Sequence, residues 1–120
     1  MEFTQQSANQ NTVISIDEST TTLSHIQLKI PCFISSNIAE EVLISSLEEI
    51  SKELLFPLLS KESLDLLIIG TGKKSKFLSP KQQVSLSELG LGVECMSNIS
   101  ACNSFNLLLS DLRPVGLLIL

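Results

Sequence analysis

Apolar residues along this chain change their spacing twice. From Ile26 to Ile34 they alternate: Ile26, Leu28, Ile30, Cys32 and Ile34 point one way, and Gln27, Lys29, Pro31 and Phe33 the other. A period of two predicts a half-buried strand of about ten residues. Pro31 cannot donate to a ladder, so it marks an edge or a bulge. Before it, Val13 to Ile16 is a short strand candidate closing on Asp17-Glu18-Ser19, and Thr20-Thr21-Thr22 suits an extended segment or turn between the two.

The spacing then becomes helical. Ser46-Leu47-Glu48-Glu49 has the spacing of a capping box, and Leu47, Ile50, Leu54 and Leu58 fall on one helical face. Pro57 should end or kink that helix near Phe56. The second half alternates strand and helix. Leu64 to Ile69 is aliphatic except for Asp65 and is stopped by Gly70, as in strands buried on both faces. Ser79-Pro80 starts a short helix that Gly90 closes. Val93 to Met96 is the next strand. Asn98 can cap a third helix with Ala101, Cys102, Phe105, Leu108, Leu109 and Leu112 as its buried stripe, and the aliphatic run after Pro114 closes the chain. The order β-β-α-β-α-β-α-β predicts an α/β fold with a mixed, largely parallel sheet flanked by helices and an N-terminal β ribbon. Residues 1–11 form a polar, disordered tail and 12–120 a single domain.

Composition narrows the function classes. The core must be aliphatic, because aromatics are five Phe with no Trp or Tyr. Stacking platforms for single strands are therefore nearly missing, and a net charge of −5 opposes nucleic acid or an anionic membrane surface. Lys73, Lys74, Lys76 and Lys81 bring four of the eight basic residues into one stretch, while the middle is acidic. The lone His25 cannot build a multi-histidine metal site, and Cys32, Cys95 and Cys102 form no CxxC, so no cofactor is expected and the thiols read as reduced and mostly buried. No apolar run approaches the ~18 residues of a membrane span, and the first residues carry no targeting pattern, which points to the cytoplasm.

The stretch LLIIGTGKKSK resembles a phosphate cradle. It misses the P-loop spacing, since Leu67 holds the first glycine position and Lys74 follows Gly72-Lys73. The dinucleotide fingerprint fails at Ser75. Gly70, Thr71 and Gly72 read first as a sharp turn. The turn follows a buried strand, however, where open α/β sheets bind ligands, so the Thr71 and Gly72 amides with Lys73 or Lys74 could hold a small anion. Glu–Lys spacings such as Glu48–Lys52 read as surface pairs. Cys102 and Asn106 share a helix face. Cys102 is either a small core residue or, near a helix start, a thiol of lowered pKa.

The segments DLLIIGTGKKSKFLSP and GLGVECMSNISACNSFNLLLSDLRPVGLLIL resemble a family of poorly defined function. It includes mitochondrial respiratory complex I assembly factor three and the adipogenesis-associated domain protein, and this chain reads as a bacterial member. Gly70, Thr71, Gly72, Phe77, Met96, Ala101, Cys102, Asn106 and Arg113 carry the likeness, which spans residues 12 to 120 and is strongest from Asp65 onward. It implies a three-layer fold around a central mixed sheet. Ser97-Asn98 stands where the family has Asp-Thr, and Asn103, Ser104 and Phe105 replace Arg, Thr and Tyr. Those departures weigh against an enzyme.

Two functions follow as expectations. One is a non-enzymatic domain acting through a protein partner, in the family's frame a membrane complex under assembly, with Lys73, Lys74, Lys76 and Lys81 and the acidic helix 46 to 56 as contact faces. The other is an anion- or metabolite-binding or catalytic domain, with Gly70, Thr71, Gly72, Cys102, Asn106 and Arg113 lining the pocket.

Overall fold

The computed structural model describes residues 2–3, 9–44 and 46–120. Of the expected tail over 1–11, residues 1 and 4–8 lie outside the described residues. Phe3 donates to the Ile14 carbonyl at 2.8 Å, and the Asn11 side chain donates to the Ser35 carbonyl at 2.8 Å.

The described residues form a mixed α/β structure with two sheets. Strands β1 (Ser15–Ile16), β2 (Thr20–Thr22) and β3 (Gln27–Lys29) make a small antiparallel sheet in that order. Strands β4 (Cys32–Ile34), β5 (Ala39–Glu41), β6 (Leu66–Gly70), β7 (Gly92–Met96) and β8 (Val115–Ile119) make a five-stranded sheet, ordered β5-β4-β8-β6-β7. β6 runs parallel to both β7 and β8, while β4 is antiparallel to β8 and to β5. The helices are α1 (Lys52–Leu59), α2 (Pro80–Ser87) and α3 (Asn98–Ser110).

Alternation along the central strands sorts side chains into two apolar clusters. Ile68, Leu117, Ile119, Cys32 and Ile34 join α3 and the small sheet in one. Leu67, Ile69, Leu118 and Phe33 join α1 and α2 in the other. This is why the β6 and β8 segments read as unbroken aliphatic runs: side chains on both faces leave water.

Several expected elements are redrawn. The alternating segment Ile26 to Ile34 is two strands in two sheets. Pro31 has no N–H to continue a ladder, and the chain changes sheet there. Its alternation survives because Leu28, Cys32 and Ile34 still meet one cluster. Thr20–Thr22 is a strand rather than a connection, with Thr21 buried and its hydroxyl accepting from the Cys32 thiol at 3.7 Å.

Ser46 caps no α-helix. Residues Leu47–Glu49 form a single 3-10 turn, Ile50 is extended, and α1 starts after Ser51, whose hydroxyl accepts from the Leu54 amide. The Gln82 amide group explains the break. It donates to the carbonyls of Leu47 at 3.0 Å and Ile50 at 2.9 Å, so a side chain rather than an α-helical ladder holds acceptors at both ends of the break. The later start rephases α1, so Leu55 is buried and Leu54 turns outward. Pro57 lies inside α1, which continues to Leu59; in so short a helix it removes a single ladder bond. Lys52 pairs with Glu88 at 2.6 Å rather than with Glu48.

The reciprocal capping box belongs to α2, between Ser79 and Gln82. Ser97, not Asn98, caps α3. Leu112 lies past the end of that helix at φ 60° and is 91% exposed, outside the buried stripe.

Two of the sheet's three strand glycines, Gly92 and Gly116, make different demands. A Cβ on Gly116 would lie 2.7 Å from Leu64 Cδ1 and 3.0 Å from the buried Phe33 ring, whereas one on Gly92 would meet nothing closer than 3.4 Å. Gly116→Val should therefore cost about 1–3 kcal/mol of stability by overpacking. Gly92→Ala should leave the urea midpoint nearly unchanged, and equal midpoints for the two variants would contradict this packing.

Candidate functional site

β6 delivers the Gly70-Thr71-Gly72 turn at the carboxyl end of the parallel strands, beside the start of α3. Thr71 donates its amide to the Met96 carbonyl at 2.9 Å. Its hydroxyl donates to the Lys74 carbonyl at 2.7 Å and accepts from the Lys76 amide at 3.1 Å. Gly72 adopts φ +94°, a conformation that L side chains rarely take. Its amide donates to Asn98 Oδ1 at 2.9 Å, and the Asn98 amide donates back to the Gly72 carbonyl at 2.8 Å. Asn98 thus clasps the turn to α3. The clasp needs a bare Gly70, because a Cβ there would stand 2.5 Å from Asn98 Oδ1.

Next to this turn is a cleft of about 370 Å³. Gly72, Lys73, Ser97, Asn98 and Leu120 face Ile16, Asp17 and Glu18 from the small sheet. Lys73 and Glu18 pair at 2.8 Å, joining the basic stretch to the β1–β2 turn. That pairing holds the Glu18 carboxyl below its usual value and raises the Lys73 ammonium. Asp17 is lowered by the Ser19 and Thr20 amides that it accepts. The cleft is acidic, and the two amides considered for an anion are already bonded within the protein.

The other expected site residues lie elsewhere. Cys102 is buried against the sheet, and burial pushes its thiol up to about 12, with Cys32 adding to the rise. Proximity to the helix start is outweighed by desolvation. Asn106 accepts from the Val13 amide at 2.9 Å and donates to the Val13 carbonyl at 3.0 Å, so its side chain substitutes for a strand partner. Arg113 follows the far end of α3 and lines a separate depression of about 230 Å³ with Asn9, Ser36 and Glu62. Lys74, Lys76 and Lys81 are exposed. Among the described residues, no three His, Cys, Asp or Glu side chains converge as a metal site. Also among them, no helix is long and apolar enough to cross a membrane.

Asn98, Asp17, Glu18 and Leu120 are cleft residues that the sequence did not mark. The one local hint was the side-chain amide of Asn98 at a helix start, which reads equally as a cap.

Half-buried Cys95 accepts a hydrogen bond from the Leu78 amide, and burial raises its thiol. In the folded protein at pH 8, iodoacetamide should label Cys95 at least about tenfold faster than Cys32 or Cys102, all three reacting alike in urea. Cys102 labelling as fast as Cys95 in the native state would overturn this placement.

The sequence profile of the family described as "Protein of unknown function (DUF498/DUF598)" matches residues 12–120. No curated protein gives a significant match. Among solved structures, a Bordetella parapertussis protein is similar with a TM-score of 0.81 at 22% identity, covering 94% of this chain and 97% of its own. A Bordetella pertussis protein described as a Mth938-like domain gives 0.76 at 19% identity, covering 100% and 91%. A Bartonella henselae protein described as an outer membrane protein gives 0.79 at 18%, covering 92% and 94%. At these identities the likeness is one of fold.

Proposed function

The chain belongs to the DUF498/DUF598 family of proteins of unknown function, the family of respiratory complex I assembly factor three and related proteins, and from that premise we propose that it is a non-enzymatic domain acting through protein contacts. One observation carries this reading: apart from exposed Arg113, the polar groups expected to line the pocket are engaged internally, while large apolar side chains stand in solvent. Cys102 is buried, Asn106 is bonded at both amide atoms, and the Thr71 and Gly72 amides have partners. Two of the five phenylalanines are outside, Phe77 at 74% and Phe56 at 63% exposure. Exposed aromatics are the usual anchors of protein interfaces.

In this reading residues 12–120 fold as one domain, the sheet is the middle of three layers with a helix-bearing cluster on each side, and the protein works in the cytoplasm. Lys73, Lys74, Lys76 and Lys81 steer an acidic partner, and a membrane complex under assembly is the partner that the family suggests. Tagged chain purified from its native cells should retain the same protein repeatedly. Changing the four lysines to glutamate should reduce that retention. Repeated purification with no partner would dismiss the proposal.

The cleft of about 370 Å³ beside Gly72 supports a second reading, a small-ligand domain, because it opens at the carboxyl ends of parallel strands. A metabolite that raises Tm in the wild type but not in Asn98→Ala would favour it. A screen without any stabilising compound would remove it.

A further inference from the structure

We propose that the outer edge of β7 takes up an extended segment of a partner protein as a sixth strand, apolar at alternate positions and carrying a lysine or arginine opposite Glu94. The inference rests on the protein-contact reading above and names its surface.

β7 is the last strand of the five-stranded sheet, paired on one side with β6. The Gly92 amide donates to Asp65 at 3.0 Å and the Met96 carbonyl accepts from Thr71 at 2.9 Å, so Gly92, Glu94 and Met96 turn their backbone groups toward β6. Pleating aims those of Val93 and Cys95 the opposite way. Among the described residues, neither of these two amides nor their carbonyls has a hydrogen-bond partner. The strand carries no proline, lysine or bulge, the usual devices that block an edge.

Alongside this edge runs a groove that suits the side chains of an added strand. Val93 and Cys95 point into a depression of about 240 Å³ between β7 and α2, where Phe77, Leu86 and Leu91 supply apolar walls and no lining residue is charged. A second depression of about 220 Å³ shares Leu91 and is flanked by Phe56. Each of the two exposed phenylalanines thus borders one of these two depressions, which meet at Leu91. Strand addition uses backbone bonds for affinity and such pockets, at every second residue, for specificity.

Charge selects the occupant. Glu94 is the one charged residue of β7, its side chain lies on the face away from the groove, and among the described residues it has no ion pair. A second copy paired antiparallel about Glu94 would set that carboxylate against itself, which is unfavourable for directly opposite residues. A foreign segment with a cation at that position is attracted instead.

Two end-capped heptapeptides provide the probe, each alternating valine and threonine, one with lysine at its centre and one with glutamate. Saturating the full chain with the lysine peptide should slow amide exchange at Val93 and Cys95 by about tenfold or more, leaving Gly92 and Glu94 unchanged. The glutamate peptide should bind at least about tenfold more weakly, Glu94→Lys should invert that preference, and Phe77→Ala should weaken both. Absent protection, equal affinity for the two peptides, resonance shifts confined to the cleft beside Gly72, or self-association through β7 would each overturn the inference. A native partner retained equally by wild type and Glu94→Lys, with cross-links away from β7, defeats the edge proposal alone. Failure to retain any partner defeats the protein-contact reading itself.

Discussion

Phe105→Ala is expected to remove about 3–5 kcal/mol of stability, because a fully buried aromatic leaves a cavity that its neighbours fill only in part. Phe105 lies on α3 in the cluster that joins this helix to β4, β6, β8 and the small sheet, so one truncation loosens every element on that side. Small domains have a total stability of roughly 5–15 kcal/mol, and this change consumes a large share of it. Urea unfolding followed by far-UV circular dichroism should show a much lower midpoint. Phe77→Ala, at an exposed position, should change the unfolding free energy by about 0.5 kcal/mol or less and barely move the midpoint. Similar midpoints for the two variants would mean that α3 does not pack as described.

Asn106 substitutions should have the next largest effect, and a characteristic pH dependence. Asn106 bonds both backbone groups of Val13, a residue with no solvent exposure. Asn106→Leu leaves a buried N–H and a buried C=O unpaired, each worth about 1–3 kcal/mol. Asn106→Asp keeps the shape and the acceptor for Val13 N–H, but it turns a carboxylate oxygen toward the Val13 carbonyl. The protonated acid can still donate there, so folding raises the pKa of the new carboxyl above its unfolded value of about 3.9. A group raised on folding binds its proton more tightly in the native state. Its stabilisation is complete below the unfolded pKa and is lost as pH rises through the folded one. Relative to wild type, the aspartate variant should be nearly normal near pH 3.5 and clearly weaker at pH 7. A pH-independent difference would exclude the paired hydrogen bonds.

Much of this architecture was legible in the order of residues. The run Leu64 to Ile69 overlaps β6 and the final VGLLIL contains β8, both inside the sheet, and the Ala101–Cys102–Phe105–Leu109 spacing is the buried face of α3. Burial on both faces, or on one stripe, leaves a periodic signature that needs no knowledge of partners. The family likeness was legible too, through the GTG turn and Ala101-Cys102 with Asn106. Less accessible were features that depend on residues far apart in the chain. Gln82 decides where α1 begins, thirty residues before its own position, by bonding Leu47 and Ile50. Spacing put Asn106 and Cys102 on one helix face and left Cys102 open as either a core residue or a reactive thiol; in the fold one holds Val13 and the other is packed away from water.

From residue spacing alone came the aliphatic strands, the helical stripes and the glycine reversal, because each depends on interactions within a few residues of its neighbours. The assembled fold alone decided that Ile26 to Ile34 serves two sheets, that Asn98 closes the turn beside an acidic cleft, and that Val93 and Cys95 are left at an open edge. Hydrogen-bond partners and desolvation are properties of the packed chain, so the same serine, asparagine or thiol reads differently until its neighbours are in place.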